Sequence, residues 1–200
     1  MSVAAIVLAA GRGTRFGEGP KLLASLRGKP LVRHVAEAAL ASTAHPVIVV
    51  TGHRAPEVEA ALAGLPLAVA HNPDFAEGLS TSLKRGFAAL DPGAEAAIVL
   101  LADMPLVDAA LIDRLIQCWR ESRPAALVPV SGGRRGNPVV LSAVLAPEIA
   151  RLSGDSGAGP LLRGRADVVE EPVDAPGVLH DVDTPAALAA LTEGRPPGSD

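Results

Sequence analysis

Apolar residues alternate along the chain between two kinds of segment. Short unbroken runs stand at 3–9 (VAAIVLA), 46–51 (PVIVVT), 66–70 (PLAVA) and 96–102 (AAIVLLA). Their length and Val/Ile/Leu content suit strands buried on both faces. Weaker runs of the same kind occupy 125–130, 137–141 and 167–173. Between them, apolar residues recur at helical spacing. In 30–42, Leu31, Val35, Ala38 and Ala39 share one face, and Pro30 suits a first helical turn. Segments 55–64, 79–90 and 108–121, with a short one opening at Thr184, complete the helical set. The alternation predicts a single Rossmann-like α/β domain over 1–192, a mostly parallel sheet flanked by helices. The small, polar, proline-rich tail 193–200 is expected to be disordered.

Composition narrows the function classes. The aromatic residues are Trp119, Phe16, Phe75 and Phe87, with no tyrosine, too few for a base-stacking platform. A net charge of −4 without a basic tract argues against a phosphate-backbone footprint, so no nucleic-acid partner is expected. Cys118, the single cysteine, permits no intrachain disulfide and no thiolate cluster, and its apolar helical neighbours predict a buried, inert thiol. The N-terminal apolar run lacks a basic start, is too short for a bilayer and meets Arg12 at once. It reads as a buried strand. The expectation is a cytoplasmic monomer with no membrane partner.

In such sheets ligands sit beyond the carboxyl ends of the strands. The loop after the first run reads Gly11-Arg12-Gly13-Thr14-Arg15-Phe16-Gly17, then Lys21. It fails the Walker A pattern, since no lysine follows Gly17, and the dinucleotide fingerprint, since Phe16 stands where the third glycine belongs. Nor does an acid follow the second run, where Thr51, Gly52 and His53 stand. Two readings stay open on physics alone: a triphosphate loop with Arg12, Arg15 and Lys21 as countercharges, or a solvated turn with surface cations.

Asp103 closes the strongly apolar run within Leu101-Ala102-Asp103-Met104-Pro105. A carboxylate there is costly unless paired or bound to a cation, and one such group with phosphate oxygens suffices for Mg²⁺. A helix-cap aspartate is the plainer alternative. Asp183, in His180-Asp181-Val182-Asp183-Thr184-Pro185, is either a metal ligand or negative charge at a helix start that Thr184 caps and Pro185 opens. Ser80, Thr81 and Ser82 open another predicted helix after Asn72-Pro73, and capping explains one hydroxyl but not three, so Ser80 and Ser82 are anion-binding candidates. His34, His45, His53 and His71 show no metal-ligand spacing, and no GxSxG elbow is present.

LAAGRGTRFG with Lys21 resembles the signature of MobA-like nucleotidyltransferases, and is most similar to molybdenum cofactor cytidylyltransferases. LADMP around Asp103, the D-x-D-T-P segment at Asp181 to Pro185, Gly136-Asn137-Pro138 and the 154–159 glycine loop follow in the family's order, from Val3 to about Leu191. The resemblance implies a nucleotide-diphospho-sugar-transferase-like fold and transfer of a nucleoside monophosphate, CMP from CTP, to the terminal phosphate of molybdopterin. It implies Mg²⁺ on Asp103 and Asp183, and Arg15, Lys21 and Asp103 as the catalytic set. The nucleotide would lie against Leu8, Ala9, Ala10, Gly11, Arg12, Gly13, Thr14, Arg15, Lys21, Thr51, Gly52, Ser80 and Ser82. Ala9-Ala10 favours CTP over GTP, because guanylyl-transferring relatives tend to carry a second glycine there. Asn137, Asp155 and Gly157 would touch the acceptor, although Ser156 and Gly159 stand where the family has basic residues. A molybdenum hydroxylase or its chaperone is the implied partner. The rivals are another nucleotide or a sugar- or polyol-phosphate acceptor, a nucleotide-dependent oxidoreductase on the same scaffold, and a non-catalytic sensor or chaperone.

Overall fold

The computed structural model describes residues 2–17 and 19–194, with the side chain of Arg15 outside that description. In chain order the elements are β1 (Ser2–Ala9), β2 (Ser25–Leu26), β3 (Lys29–Pro30), α1 (Leu31–Leu40), β4 (Val47–Thr51) and α2 (Ala55–Ala61). Then come β5 (Ala68–His71), α3 (Leu79–Ala88), β6 (Ala94–Leu101), α4 (Ala109–Ser122), β7 (Ala126–Ser131), β8 (Arg134–Arg135) and β9 (Val139–Ser142). The last are α5 (Ala146–Ile149), α6 (Gly159–Leu162), β10 (Val168–Pro172) and α7 (Pro185–Thr192). The sheet runs β10-β7-β9-β6-β1-β4-β5, with β8 paired to β7. Every pair along this path is parallel except those of β9, which lies antiparallel between β6 and β7. The expected α/β architecture is thus present, and the predicted tail beyond residue 194 lies outside the described residues.

β1 from Val3 and β6 from Ala96 are apolar because both faces are covered. One face carries Val3, Ala5 and Val7 against Val32, Val35, Ile112 and Trp119 of α1 and α4. The other carries Ala4, Ile6 and Leu8 against Leu83 and Phe87 of α3. Gly86 lets α3 approach, since a Cβ there would stand 2.5 Å from Ile6 Cγ2. Pro30 precedes α1 as its cap rather than entering its first turn. Thr184 does cap α7, its hydroxyl accepting from the Ala187 N–H at 3.1 Å. Cys118 is half-buried, not fully enclosed, and burial, followed by the charge of Glu171, raises its thiol pKa. The chain's short elements, β2, β3, β8, α5 and α6, are two to four residues long and carry no periodicity that sequence could register. No helix among the described residues is long and apolar enough to cross a membrane.

Candidate active site

The carboxyl ends of β1 and β6 lie side by side, with Leu8 opposite Leu101, so the loops that follow them share one end of the sheet. Lys21, at the far end of the β1 loop, is 7% exposed and reaches both Asp103, just past β6, and Asp183, just before α7. Its ammonium donates to Asp103 Oδ2 at 2.7 Å and to Asp183 Oδ1 at 2.5 Å. Burial opposes the charge on Lys21, but the two carboxylates outweigh it and the pKa is raised, so the ammonium stays protonated. Gly13 makes room for this: it has φ 60°, and a Cβ would lie 2.8 Å from Lys21 Cβ.

Asp183 is brought to Asp103 by the backbone, the Val182 N–H donating to the Asp103 carbonyl at 2.9 Å. Val182 itself is buried with Phe16, Leu26 and Leu31, which anchors the segment. Asp181 and Asp183 flank buried Val182, and carboxylate oxygens of Asp103, Asp181 and Asp183 lie within 4.8 Å of one another. Asp103 Oδ1 is buried and accepts no hydrogen bond among the described residues. An all-carboxylate set with an unsatisfied inner oxygen fits a hard divalent cation such as Mg²⁺ or Mn²⁺. Asp181 belongs to this set by position, while His180 turns its Nδ1 to the Pro176 carbonyl at 2.6 Å.

Beside this centre is a cavity of about 510 Å³, walled by the Ala10–Thr14 loop, Lys21, Asp183, Phe75 to Leu79, Ser82 and Asp155. Arg12 lies over the Phe75 ring, its guanidinium carbon 5.7 Å from the centroid, and the His53 ring, tilted by 51°, has its centroid 5.8 Å from that of Phe75. Gly52 does not line this space. It lets Ala10 and Phe75 close together, because a Cβ would stand 2.7 Å from each of their Cβ atoms.

Other expected nucleotide contacts lie outside this cavity. Thr51 is fully buried, its hydroxyl 3.1 Å from Glu59 Oε1, and Ala9 packs into the core on the far face. Leu8 lines a different cavity. Ser80 is fully buried, and its hydroxyl, with no partner among the described residues, does not border the cavity. The start of α3 is no open anion site either: the Leu79 N–H donates to Asp155 Oδ1 at 3.3 Å, the Ser80 N–H to the Gly154 carbonyl at 3.3 Å. Ser82 does reach the cavity, positioned by Asn72, whose amide donates to Thr81 Oγ1 at 2.9 Å and Ser82 Oγ at 3.0 Å. Asn72 was visible in the sequence only as half of a turn dipeptide, and Phe75 only as one of few aromatics. Arg15's side chain lies outside the described residues.

The three expected acceptor residues divide between two places. Asp155 borders the first cavity, whereas Asn137 and Gly157 line a second one of about 420 Å³. Leu79 borders both. The 154–159 loop is held against α3 by Gly78 (φ 113°), where a Cβ would fall 2.5 Å from the Gly154 carbonyl.

Residues 5–170 match the MobA-like NTP transferase domain. Nicotine blue oxidoreductase of Paenarthrobacter nicotinovorans is 34% identical over 191 residues, 91% of this chain and 92% of the relative. The bifunctional protein GlmU of Legionella pneumophila subsp. pneumophila is 33% identical over 181 residues, 86% of this chain but 34% of its own length. The chain thus spans about a third of that relative. Among solved structures, the Rv0371c protein of Mycobacterium tuberculosis H37Rv, in complex with manganese, has a TM-score of 0.84 at 30% identity, covering 96% of this chain and 99% of its own.

Proposed function

The chain belongs to the MobA-like NTP transferase family, and from that premise we propose that it transfers CMP from CTP to the terminal phosphate of a small acceptor, molybdopterin being the acceptor its sequence resemblance implies. It is a nucleotidyltransferase with a site for a Mg- or Mn-type cation. The observation that carries the proposal is the convergence of Lys21, Asp103 and Asp183 at the mouth of a cavity formed by the β1 loop. The complex of the Mycobacterium tuberculosis relative with manganese supports the use of a divalent cation. Asp103, Asp181 and Asp183 would hold it, and when bound it supplies neutralisation of charge on the phosphate oxygens. Exchange is built in: Lys21, freed from the carboxylates, is long enough to turn its ammonium toward a triphosphate. Gly11 to Thr14 line the same space, and their backbone N–H groups with the Arg12 guanidinium would hold the phosphates in line. An acceptor phosphate oxygen would attack the α-phosphorus, forming a P–O–P link as pyrophosphate leaves. No enzyme nucleophile is required.

The first test is pyrophosphate release from CTP, Mg²⁺ and molybdopterin. Asp103→Asn should keep its fold by circular dichroism and lose at least about 100-fold in rate, the scale of removing one electrostatic stabiliser. Undiminished release would sink the metal assignment. A second reading is favoured by one relative, the nicotine blue oxidoreductase: a nucleotide-dependent reductase on this scaffold. Binding of NADPH without affinity for any nucleoside triphosphate would select it.

A further inference from the structure

Among the described residues, the cavity beside the carboxylate centre carries two positive side chains, Arg12 and Lys21, and both are engaged elsewhere. Arg12 lies over the Phe75 ring. The Lys21 ammonium stands against Asp103 Oδ2 at 2.7 Å and Asp183 Oδ1 at 2.5 Å, inside the carboxylate set that suits a divalent ion. In this state the cavity offers a triphosphate no ammonium from the described residues.

Lys21 and a divalent ion compete for the same oxygens. An ion held by two carboxylates stands about 2.1 Å from an oxygen of each. The ammonium nitrogen already fills the space between Asp103 and Asp183, and two cations there would repel each other at close range. Three carboxylates also carry more negative charge than one ammonium answers, so a doubly charged ion has the advantage. Only the outer part of the lysine can give way. Its backbone belongs to the short turn Lys21–Leu23, and its stem is pressed over Gly13, where an added Cβ would fall 2.8 Å from Lys21 Cβ and 3.4 Å from Cδ. The open space that Lys21 borders is the cavity, where Arg12, Glu77, Asp155 and Asp183 are the other charged groups on the wall.

We propose that Lys21 is a latch: without a divalent cation it fills the cation's place between Asp103 and Asp183, and when a cation binds there the ammonium turns out into the cavity, before any nucleotide arrives. The inference rests on the nucleotidyltransferase reading and adds a control to it. The cation alone, not the triphosphate, releases the lysine, and the released ammonium then gives the cavity the charge that a triphosphate needs. The free protein without a cation is therefore closed to triphosphates by its own side chain.

The wild-type chain lends itself to the test, because Lys21, Lys29 and Lys84 are its only lysines and cleavage at arginine leaves each in a separate peptide. Acetylation by an N-hydroxysuccinimide ester is followed by mass spectrometry of those peptides in EDTA, in Mn²⁺ alone, and in tripolyphosphate with Mn²⁺ in excess. Lys29, whose side chain is 51% exposed, is the internal reference. Lys21 is expected to react slowly in EDTA, at least about fivefold faster in Mn²⁺ alone, and slowly again once tripolyphosphate is added. Mn²⁺ binding to the free protein, read by electron paramagnetic resonance, is the second measurement. Lys21→Met should bind the ion at least about tenfold more tightly than the wild type, whereas Lys29→Met should not differ from it. The proposal is overturned if Mn²⁺ binds the wild type and leaves Lys21 as slow as in EDTA, or if Lys21 matches Lys29 already in EDTA. It is equally overturned if tripolyphosphate gives no protection, or if Lys21→Met binds Mn²⁺ no more tightly than a wild type that does bind it. Absence of Mn²⁺ binding in every one of these proteins, with or without CTP, would instead strike the cation centre of the nucleotidyltransferase reading.

Discussion

Lys21 holds the residue-scale argument. A lysine that is 7% exposed survives there because two carboxylates meet it, and those carboxylates tolerate burial because the lysine meets them. Lys21→Met should therefore unfold more easily in EDTA, by about 1–3 kcal/mol since both acids remain partly in contact with water. Added Mg²⁺ should restore much of that loss, whereas it should affect the wild type less. Thermal unfolding with and without the ion measures this, and a variant as stable as the wild type in EDTA would contradict the coupling. Asp103 was legible in the sequence because it stands just past an apolar run, where a charge needs a reason; Asp183 was legible only as charge at a helix start and through the D-x-D-T-P resemblance. The direct pairing of Lys21 with them was not, since residues 82 and 162 positions apart meet only through the fold. Thr51 and Ser80 are buried away from the first cavity for the converse cause: position after a strand or at a helix start says which end of the sheet a residue occupies, but not which way it points.

At the scale of elements, α3 and the glycine loop that crosses its first turn form the wall between the two cavities. Sequence patterning located α3 well, 79–90 expected against Leu79–Ala88 found, because its apolar stripe meets the sheet. The serines at its start suggested a ligand site; instead its first N–H groups are taken by Gly154 and Asp155. That use depends on close approach, which sequence does not display. Gly78→Ala would force a side chain into the Gly154 carbonyl at a backbone angle suited to glycine. It should cost about 1–3 kcal/mol and raise accessibility of the 154–159 loop to protease. Limited proteolysis that finds the loop as protected as before would count against this docking. Gly86→Ala should destabilise comparably, about 1–3 kcal/mol in chemical denaturation, by pushing α3 from Ile6.

Among the described residues, a carboxylate cluster suited to a divalent cation and two cavities, polar beside apolar, lie toward the carboxyl end of the sheet. The alternation of runs and stripes was enough to foresee the layers, because parallel strands covered on both faces must be apolar throughout. It did not show β9 running antiparallel between β6 and β7. That reversal is what carries Val139 and Asn137 to the second cavity. The central claim is that this end of the sheet binds a nucleoside triphosphate with a divalent cation. Its most direct test is thermal unfolding of the wild type and of an Asp103→Asn, Asp183→Asn double variant with CTP or NADPH, each with and without Mg²⁺. At 100-fold excess over its dissociation constant a ligand stabilises by about 2.7 kcal/mol, a rise of roughly 5–10 °C for a chain of this size. The account predicts that rise for wild type with CTP and Mg²⁺ together, its loss in the double variant, and no response to NADPH. A rise with NADPH alone, or one with CTP that the double variant retains, would contradict it.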